Sequence, residues 1–349
     1  MPDGQEVSGD EMMKKVVEEL LPRLMKECGL GEIVGSVESV SGGFMHRMYK
    51  VTTERGIYAV KHLNTEIMKR PDAHNNFARA EKIEGILEQN NIPIVPAIVI
   101  RGRKMQKIDE DFFYVFKWQN GRIADWDCIS DEQCYKAGNI LGRIHAIEPK
   151  NDEPKDLVLC HIDWHDYIVR AKGEGSVIAS ILEENEKLLV YAENELNRAR
   201  ATLPNILCLS NEDMDPKNIM WDNDIPHVID LECLDYGNPA SHAMQLALQW
   251  SGIVTCNMDI DKLIAFFKGY LVAYDNCFRG YSNIIGVGYT WIEWLEYNIE
   301  RALGNCMDEA ERELGICEVR NTINRIAYIQ KQEPLIKDAL NRLCSFSIK

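Results

Sequence analysis

Apolar residues Met12, Met13, Val16, Val17, Leu20, Leu21 and Leu24 recur at the spacing of one helical face, behind the capping pattern Ser8 to Glu11 and ahead of Gly29. That pattern predicts an amphipathic helix closed by glycine. Segments of strand type follow, "EIVGSVESV", "RMYKVTT" and "GIYAVKHL", interrupted by Ser41-Gly42-Gly43 and by Arg55-Gly56. Short alternating runs separated by glycine turns predict a twisted antiparallel sheet. Helical spacing returns in "NFARAEKIEGILEQ" and stops ahead of Pro93, because proline drives the residue before it out of the helical region. "VPAIVIRG" and "DFFYVFKW" read as two further strands.

From Ser130 the pattern changes. Ser130 to Gln133 is a second capping box, leading into the helical run "CYKAGNILGRIHAI". "VIASILEENEKLLVYAENELNRARATL" predicts a long helix, and two strand-like pieces, "NILCLS" and "HVIDLE", bracket the polar stretch "LSNEDMDPKNIMW". Beyond Ala240 nearly everything has helical spacing. The prediction is an α+β chain, with a β-rich N-terminal lobe over residues 1–120 and a mainly helical C-terminal lobe over 121–349. No repeat or low-complexity tract interrupts it.

Composition narrows the function. The 349 residues are 46% hydrophobic and 27% charged, as in a folded globular protein. Lys and Arg total 39 against 55 Asp and Glu, a net charge of −16 that disfavours nucleic acid and anionic membrane as partners. A phosphate-bearing ligand then requires a local cation or a metal. The 11 cysteines are an odd number, scattered without a C-x-x-C pair, and read as free thiols of a reducing cytosol. "MPDGQEVSGDEMMKK" lacks the pattern of a secretory signal, and runs such as "IPIVPAIVI" are too short for a membrane span, so a cytoplasmic location is expected.

The candidate chemistry lies in "LSNEDMDPKNIMW". Phosphoryl transfer to an alcohol needs a cation on the phosphates, Mg²⁺ on hard oxygen ligands, and a carboxylate for the acceptor hydroxyl. Asp213 and Asn218 stand five residues apart, and twelve residues later Asp230 ends the apolar "HVID", with Glu232 two positions on. Two-residue alternation predicts Asp230 and Glu232 on one side of a strand. Lys61 ends "GIYAVK", and Ser41, Gly42 and Gly43 form a turn whose N–H groups can approach phosphates. Glu81, twenty residues on, is placed to pair with Lys61; Glu84 competes from one turn away on the same helical face. On a predicted helix over 289–304, Trp291, Glu293, Trp294, Glu296, Tyr297 and Glu300 either pack and solvate an amphipathic helix or face an amine-bearing substrate. His161 and His165 lack a metal-binding context and read as a surface helix start, while His145 reads as a core histidine.

The segments "SVSGGFMHRMYKV", "YAVK", "AEKIEGILEQNNIPIVP", "LGRIHAI", "NEDMDPKNIMW" and "VIDLECLDYGNPA" together resemble the aminoglycoside phosphotransferase and choline kinase family, over residues 35 to 300. The resemblance implies a protein-kinase-like bilobal fold and a Mg²⁺-dependent transfer from ATP or GTP to the hydroxyl of a small molecule. It makes Asp213 the catalytic aspartate and Asn218 and Asp230 the metal ligands. Lys61 contacts the nucleotide phosphates and Glu81 positions it. The adenine-binding hinge falls near residues 115 to 121, at Phe116, Lys117 and Trp118. Glu232 is either a further metal ligand or a group that supports the ligands or faces the substrate, and Glu293, Trp294 and Tyr297 are candidates for the substrate side. An aminoglycoside-type acceptor is favoured, with choline, sugar or homoserine kinases and a non-catalytic binding protein as alternatives. Two positions depart from the family pattern: Asn211 stands for the usual histidine of H-x-D, and His242 for the aspartate after "GNPA".

Overall fold

A computed structural model describes residues 14–40, 46–151, 158–275, 284–306 and 308–346. The capping pattern at Ser8 to Glu11, Met12 and Met13, and the turn Ser41, Gly42 and Gly43, lie outside the described residues. The chain forms two compact units, one running to Arg122 and including Met220–Glu232, the other comprising Ile123–Ile219 and Cys233 onward. The sequence placed a single boundary at 120. The structure adds that a segment of 13 residues, Met220–Glu232, returns to the first unit.

In the first unit a π-helical turn, Val16–Leu20, runs into α1 (Leu21–Glu27), which ends where Gly29 takes φ +68°. Strands β1 (Glu38–Val40), β2 (Arg47–Thr53), β3 (Gly56–His62), β4 (Gln106–Ile108) and β5 (Asp111–Lys117) form one antiparallel sheet, ordered β1-β2-β3-β5-β4. Leu20, Leu21, Leu24 and Met25 pack on Tyr49, Val51, Val60, Phe113 and Val115, so one face of the sheet is covered by α1. A short helix, α2 (Thr65–Met68), precedes α3 (Ala73–Gln89).

Two predicted strands are shorter than their sequences suggest. "EIVGSVESV" yields only β1 and a bridge at Ile33, because Gly35 turns the backbone at φ +87°. "VPAIVIRG" makes bridges at Ala97 and Ile100 and no strand: Pro96 has no N–H to donate, and Arg101 and Gly102 turn at positive φ.

β6 (Arg122–Ile123) pairs with β9 (Ile219–Asp222), which pairs with β10 (Ile225–Val228). Val228 also exchanges hydrogen bonds of 2.8 Å with Pro93 and Val95, which ties the segment ending at Asp230 into the first unit.

The second unit is helical: α4 (Asp131–His145), α5 (Trp164–Gly173), α6 (Ile178–Thr202), α7 (Pro239–Trp250), α8 (Ile260–Ala273), α9 (Trp291–Ala302) and α10 (Glu309–Phe346). A small sheet joins β7 (Lys150–Asn151), β8 (Ile206–Asn211) and β11 (Leu234–Gly237) in the order β11-β8-β7. The capping box at Ser130 and Gln133 forms in both directions, at 3.2 and 2.9 Å.

α4 and α8 cross where side chains are absent. A Cβ on Gly138 would strike the Phe266 carbonyl, one on Gly142 would lie 2.5 Å from the Tyr270 oxygen, and one on Gly269 would strike the Tyr135 carbonyl. Backbone cannot rotate aside as a side chain can. Gly269→Ala is therefore expected to cost about 1–3 kcal/mol, at the upper end of overpacking penalties. It should lower the urea midpoint with little change in m-value. A midpoint equal to wild type would show that the helices separate without cost.

Candidate active site

The stretch between β8 and β9 is held by side-chain contacts along most of its length from Asn211 to Asn218. Asn211 is fully buried and its Oδ1 accepts the Asp213 N–H at 3.2 Å. The Trp250 indole donates to the Met214 carbonyl at 3.0 Å, pinning the loop to the end of α7. Asp215 accepts the Lys217 N–H at 3.0 Å and begins the single 3₁₀ turn Pro216–Asn218. That turn places Asn218 under Asp213: its Nδ2 donates to both the carbonyl oxygen and Oδ2 of Asp213, each at 2.8 Å. Asp213 is thus a half-exposed carboxylate oriented by an amide.

Lys217 completes this group. Its ammonium lies 2.9 Å from Asp213 Oδ1 and 2.8 Å from Asp215 Oδ2. Burial weakens the ammonium, yet Asp215 and Asp213 overcome that and raise its pKa. Burial pushes the Asp215 carboxyl up to about 6 in spite of Lys217. The sequence reading did not single out Lys217; its spacing of four from Asp213 was the available signal.

In the first unit Lys61 is buried and its ammonium lies 2.8 Å from Asp230 Oδ1 and 2.5 Å from Glu232 Oε1. Burial opposes the charge, and Glu232 and Asp230 together raise the pKa above the usual lysine value. His46 accepts the Asn64 N–H on Nδ1 at 2.9 Å, which leaves Nε2 as the protonated nitrogen facing Glu232 Oε2 at 3.0 Å. Both oxygens of Glu232 are therefore engaged. His46 escaped the sequence reading, since 186 residues separate it from Glu232.

The expected pair of Lys61 with Glu81 is not formed. Glu81 accepts the Tyr114 hydroxyl at 2.7 Å and the Met105 N–H at 3.2 Å. Glu84 is buried between the Lys104 ammonium at 2.9 Å and the Ala97 N–H at 2.6 Å. Each carboxylate is thus drawn to partners other than Lys61. The alternation argument for Asp230 and Glu232 also fails. Asp230 lies beyond the end of β10 with φ +56°, and Glu232 sits in a 3₁₀ turn, Leu231–Cys233. A left-handed residue followed by a 3₁₀ turn brings both carboxylates onto one lysine by a route that strand geometry does not supply.

At the expected hinge, Phe116 bridges Ala97, Lys117 ends β5, and the Trp118 N–H already donates to the Ile57 carbonyl at 3.0 Å. On α9, Glu293 is held by both guanidinium nitrogens of Arg200 at 2.8 Å. Trp294 and Tyr297 stack at 5.4 Å and stay 40% and 50% exposed. Gln245, Gln249, Thr290, Trp291, Glu293 and Trp294 line a cavity of about 280 Å³.

Residues 36–282 match the sequence profile described as the phosphotransferase enzyme family. The chain belongs to that family. No curated protein matches the sequence. This phosphotransferase-family chain is similar in fold to a spectinomycin phosphotransferase solved with ADP and spectinomycin, at 13% identity and TM-score 0.66, over 93% of this chain and 99% of that one. It is similar also to an ethanolamine kinase from Plasmodium vivax (16% identity, TM-score 0.54, 92% and 95% covered). A third likeness is to a choline kinase from Cryptosporidium parvum (13% identity, TM-score 0.54, 95% and 99% covered). These likenesses establish an α+β, protein-kinase-like phosphotransferase fold. Among the described residues, no helix is long and apolar enough to cross a membrane.

The two departures from the family pattern occupy one place in this phosphotransferase-family fold. Asn211 and His242 flank Ser210, whose hydroxyl lies 2.7 Å from His242 Nδ1 and 3.0 Å from His145 Nε2. His145, fully buried, meets the Tyr270 hydroxyl at 2.8 Å. His161 is exposed and His165 lies on α5, whose first turn is capped by Asp163.

Burial, reinforced by the neighbouring His242 imidazole, holds the His145 pKa well below the usual histidine value. The native state keeps His145 neutral, whereas the unfolded chain takes up a proton as pH falls below about 6.5. Stability present above that pH is therefore lost as pH falls. One proton gives a slope of at most about 1.4 kcal/mol per pH unit. Thermal melts from pH 7.5 to 5 should show a smaller acid loss for His145→Gln than for wild type. Parallel curves would remove His145 from the account.

Proposed function

We propose that the protein transfers the γ-phosphoryl group of ATP or GTP, with Mg²⁺, to a hydroxyl of a small amine-bearing molecule, with an aminoglycoside-type acceptor favoured. The observation that carries the reading is the Asp213 carboxylate, oriented by the Asn218 amide and paired with Lys217. A general base must be accessible to its substrate and fixed in place; Asp213 is half-exposed, and these contacts fix it. Spectinomycin phosphotransferase with ADP and amicoumacin kinase with AMP-PNP are fold relatives that bind nucleotide, which supports the choice of donor.

Mg²⁺ fits the donors available. With Asn218 Nδ2 turned to Asp213, its Oδ1 remains as a hard acceptor, and Asp230 Oδ2 lies opposite the oxygen that faces Lys61. Among the described residues no group of three or more His, Cys, Asp or Glu stands ready for a metal. Few protein ligands suit Mg²⁺, which keeps phosphate and water oxygens in its shell. By the family resemblance, Asn218 and Asp230 would be the residues that hold it. When bound, it neutralises phosphate charge.

The chain's own groups do the rest. Asp213 accepts a hydrogen bond from the acceptor hydroxyl and takes its proton late in an in-line displacement. Lys61, held by Asp230 and Glu232, supplies the positive charge that a chain of net charge −16 otherwise lacks near a phosphate. Glu81 acts through Tyr114 and Met105 rather than on Lys61, and Ser41, Gly42 and Gly43 remain the proposed phosphate turn. Phe116, Lys117 and Trp118 remain the proposed nucleotide hinge.

The cavity on α9 is the proposed acceptor pocket. Its aromatic lining suits a cationic amine, with Trp294 the more available face because Arg325 already lies over the Trp291 ring at 5.0 Å. Glu293 contributes less charge than its sequence suggests, since Arg200 neutralises it. The same aromatic faces suit a quaternary ammonium alcohol, which keeps a choline-type acceptor as the second reading. The test measures ADP or GDP release with aminoglycosides, choline, ethanolamine and sugars, with and without Mg²⁺. Failure to bind either purine triphosphate would sink the enzymatic reading. Turnover confined to uncharged sugars would sink the amine assignment.

A further inference from the structure

We propose that His242 is a positioning residue that fixes the catalytic loop by holding Glu212, the neighbour of Asp213. The inference rests on the reading of Asp213 as the catalytic base. Its first support is the seat of the imidazole. Asn238 caps α7 through the N–H groups of Ala240 and Ser241, at 3.1 and 3.2 Å, and sets His242 in the first turn. Gly237, the last residue of β11, lies directly under the ring. A Cβ there would occupy the space of the imidazole carbon and approach Nε2 to 2.6 Å. A side chain at position 237 would therefore displace the His242 ring from this seat.

The second support is the contact made by each nitrogen. Nδ1 meets the Ser210 hydroxyl at 2.7 Å, and Nε2 meets Glu212 Oε1 at 2.6 Å. A carboxylate is an acceptor only, so Nε2 carries a proton. In the tautomer that carries its proton on Nε2, Nδ1 accepts from Ser210, whose oxygen in turn accepts from His145 Nε2–H. His145 Nδ1 then accepts from Tyr270, at 2.8 Å, on α8. Every donor and acceptor has a partner, and the bonds run in one direction from Tyr270 to Glu212. Glu212 itself is 60% exposed, yet its last contact is a histidine only 8% exposed. An exposed glutamate ordinarily samples many rotamers; this one is held against the core. Because Asp213 follows it directly, the base inherits that register.

Three variants test the inference, by hydrogen exchange of peptides covering 211–218 and by steady-state kinetics. His242→Phe retains ring volume without hydrogen bonds, Glu212→Ala removes the carboxylate from a 60% exposed side chain, and His242→Gln restores a donor. Exchange of the loop should rise at least tenfold in His242→Phe and in Glu212→Ala, with peptides from α4 and α8 unchanged. The double variant should add nothing to either single change, and His242→Gln should return most of the protection. For an acceptor that is turned over, kcat should fall at least tenfold while KM for the Mg-nucleotide stays within twofold. Unchanged loop exchange in Glu212→Ala would overturn the inference, as would a rise spread evenly over the second unit in His242→Phe. If the wild-type protein turns over no acceptor, the phosphotransfer reading fails by itself, and the exchange data still decide the role of His242 in fixing the loop.

Discussion

Asp213→Asn is expected to lower phosphoryl transfer by about a thousandfold, within the range that loss of a general base produces. Mg-nucleotide affinity should change by less than severalfold. The substitution preserves size and leaves Lys217 its second partner, Asp215, at 2.8 Å. The Asn218 amide keeps the Asp213 carbonyl as an acceptor at 2.8 Å, so the loop retains its shape. What disappears is the charge at the acceptor hydroxyl and the site for its proton. Isothermal titration with a non-hydrolysable nucleotide and rapid-quench measurement of product formation separate the two effects. Wild-type turnover in this variant would remove Asp213 from the role of base; loss of nucleotide binding would mean that it supports the fold of the site instead.

The second large effect is expected at Lys61. Lys61→Met removes the cation between Asp230 and Glu232, and two carboxylates then face each other with His46 alone beside them. Asp230 is 40% exposed and Glu232 23%, so water relieves part of the cost. The expected stability loss is about 1–3 kcal/mol, below the 3–5 kcal/mol typical of a fully buried broken pair. Turnover should fall about a hundredfold or more, as for other lost charge contacts on a transferring group. Adding Glu232→Gln should recover stability without recovering turnover, which distinguishes the structural from the catalytic share. Recovery of both would show that Lys61 acts only to neutralise Glu232. Lys61→Arg is not expected to substitute, since a planar guanidinium cannot reproduce the ammonium's placement between two carboxylates.

Local signals in the sequence were legible and distant ones were not. The Ser130–Gln133 capping box, the stop at Gly29 and the hairpin around Arg55-Gly56 each involve neighbours in the chain, and each forms as read. The five-residue spacing from Asp213 to Asn218 became a contact because a single 3₁₀ turn closes that interval. Glu81 shows the opposite case. Helical spacing gave its face of α3, but its partners come from β5 and the segment before β4, and no local pattern reveals that Tyr114 and Met105 satisfy it first. Asp230 was misplaced on a regular strand because alternation cannot foresee a left-handed residue. Lys217 was overlooked because a charged side chain in a turn reads as solvated until its partners are known, and His46 because its partner lies far away in the sequence.

Gly237 and His242 make a prediction about relatives rather than about variants. A ring resting where a Cβ would stand means that a side chain at the earlier position would move the ring off its partners, so the two positions are coupled. In an alignment of chains close to this one, histidine at the later position should coincide with glycine at the earlier one. Chains bearing a smaller or acidic residue at the later position should tolerate alanine or serine at the earlier one. The pair of columns would mark a subgroup of the family by covariation alone, before any acceptor is known.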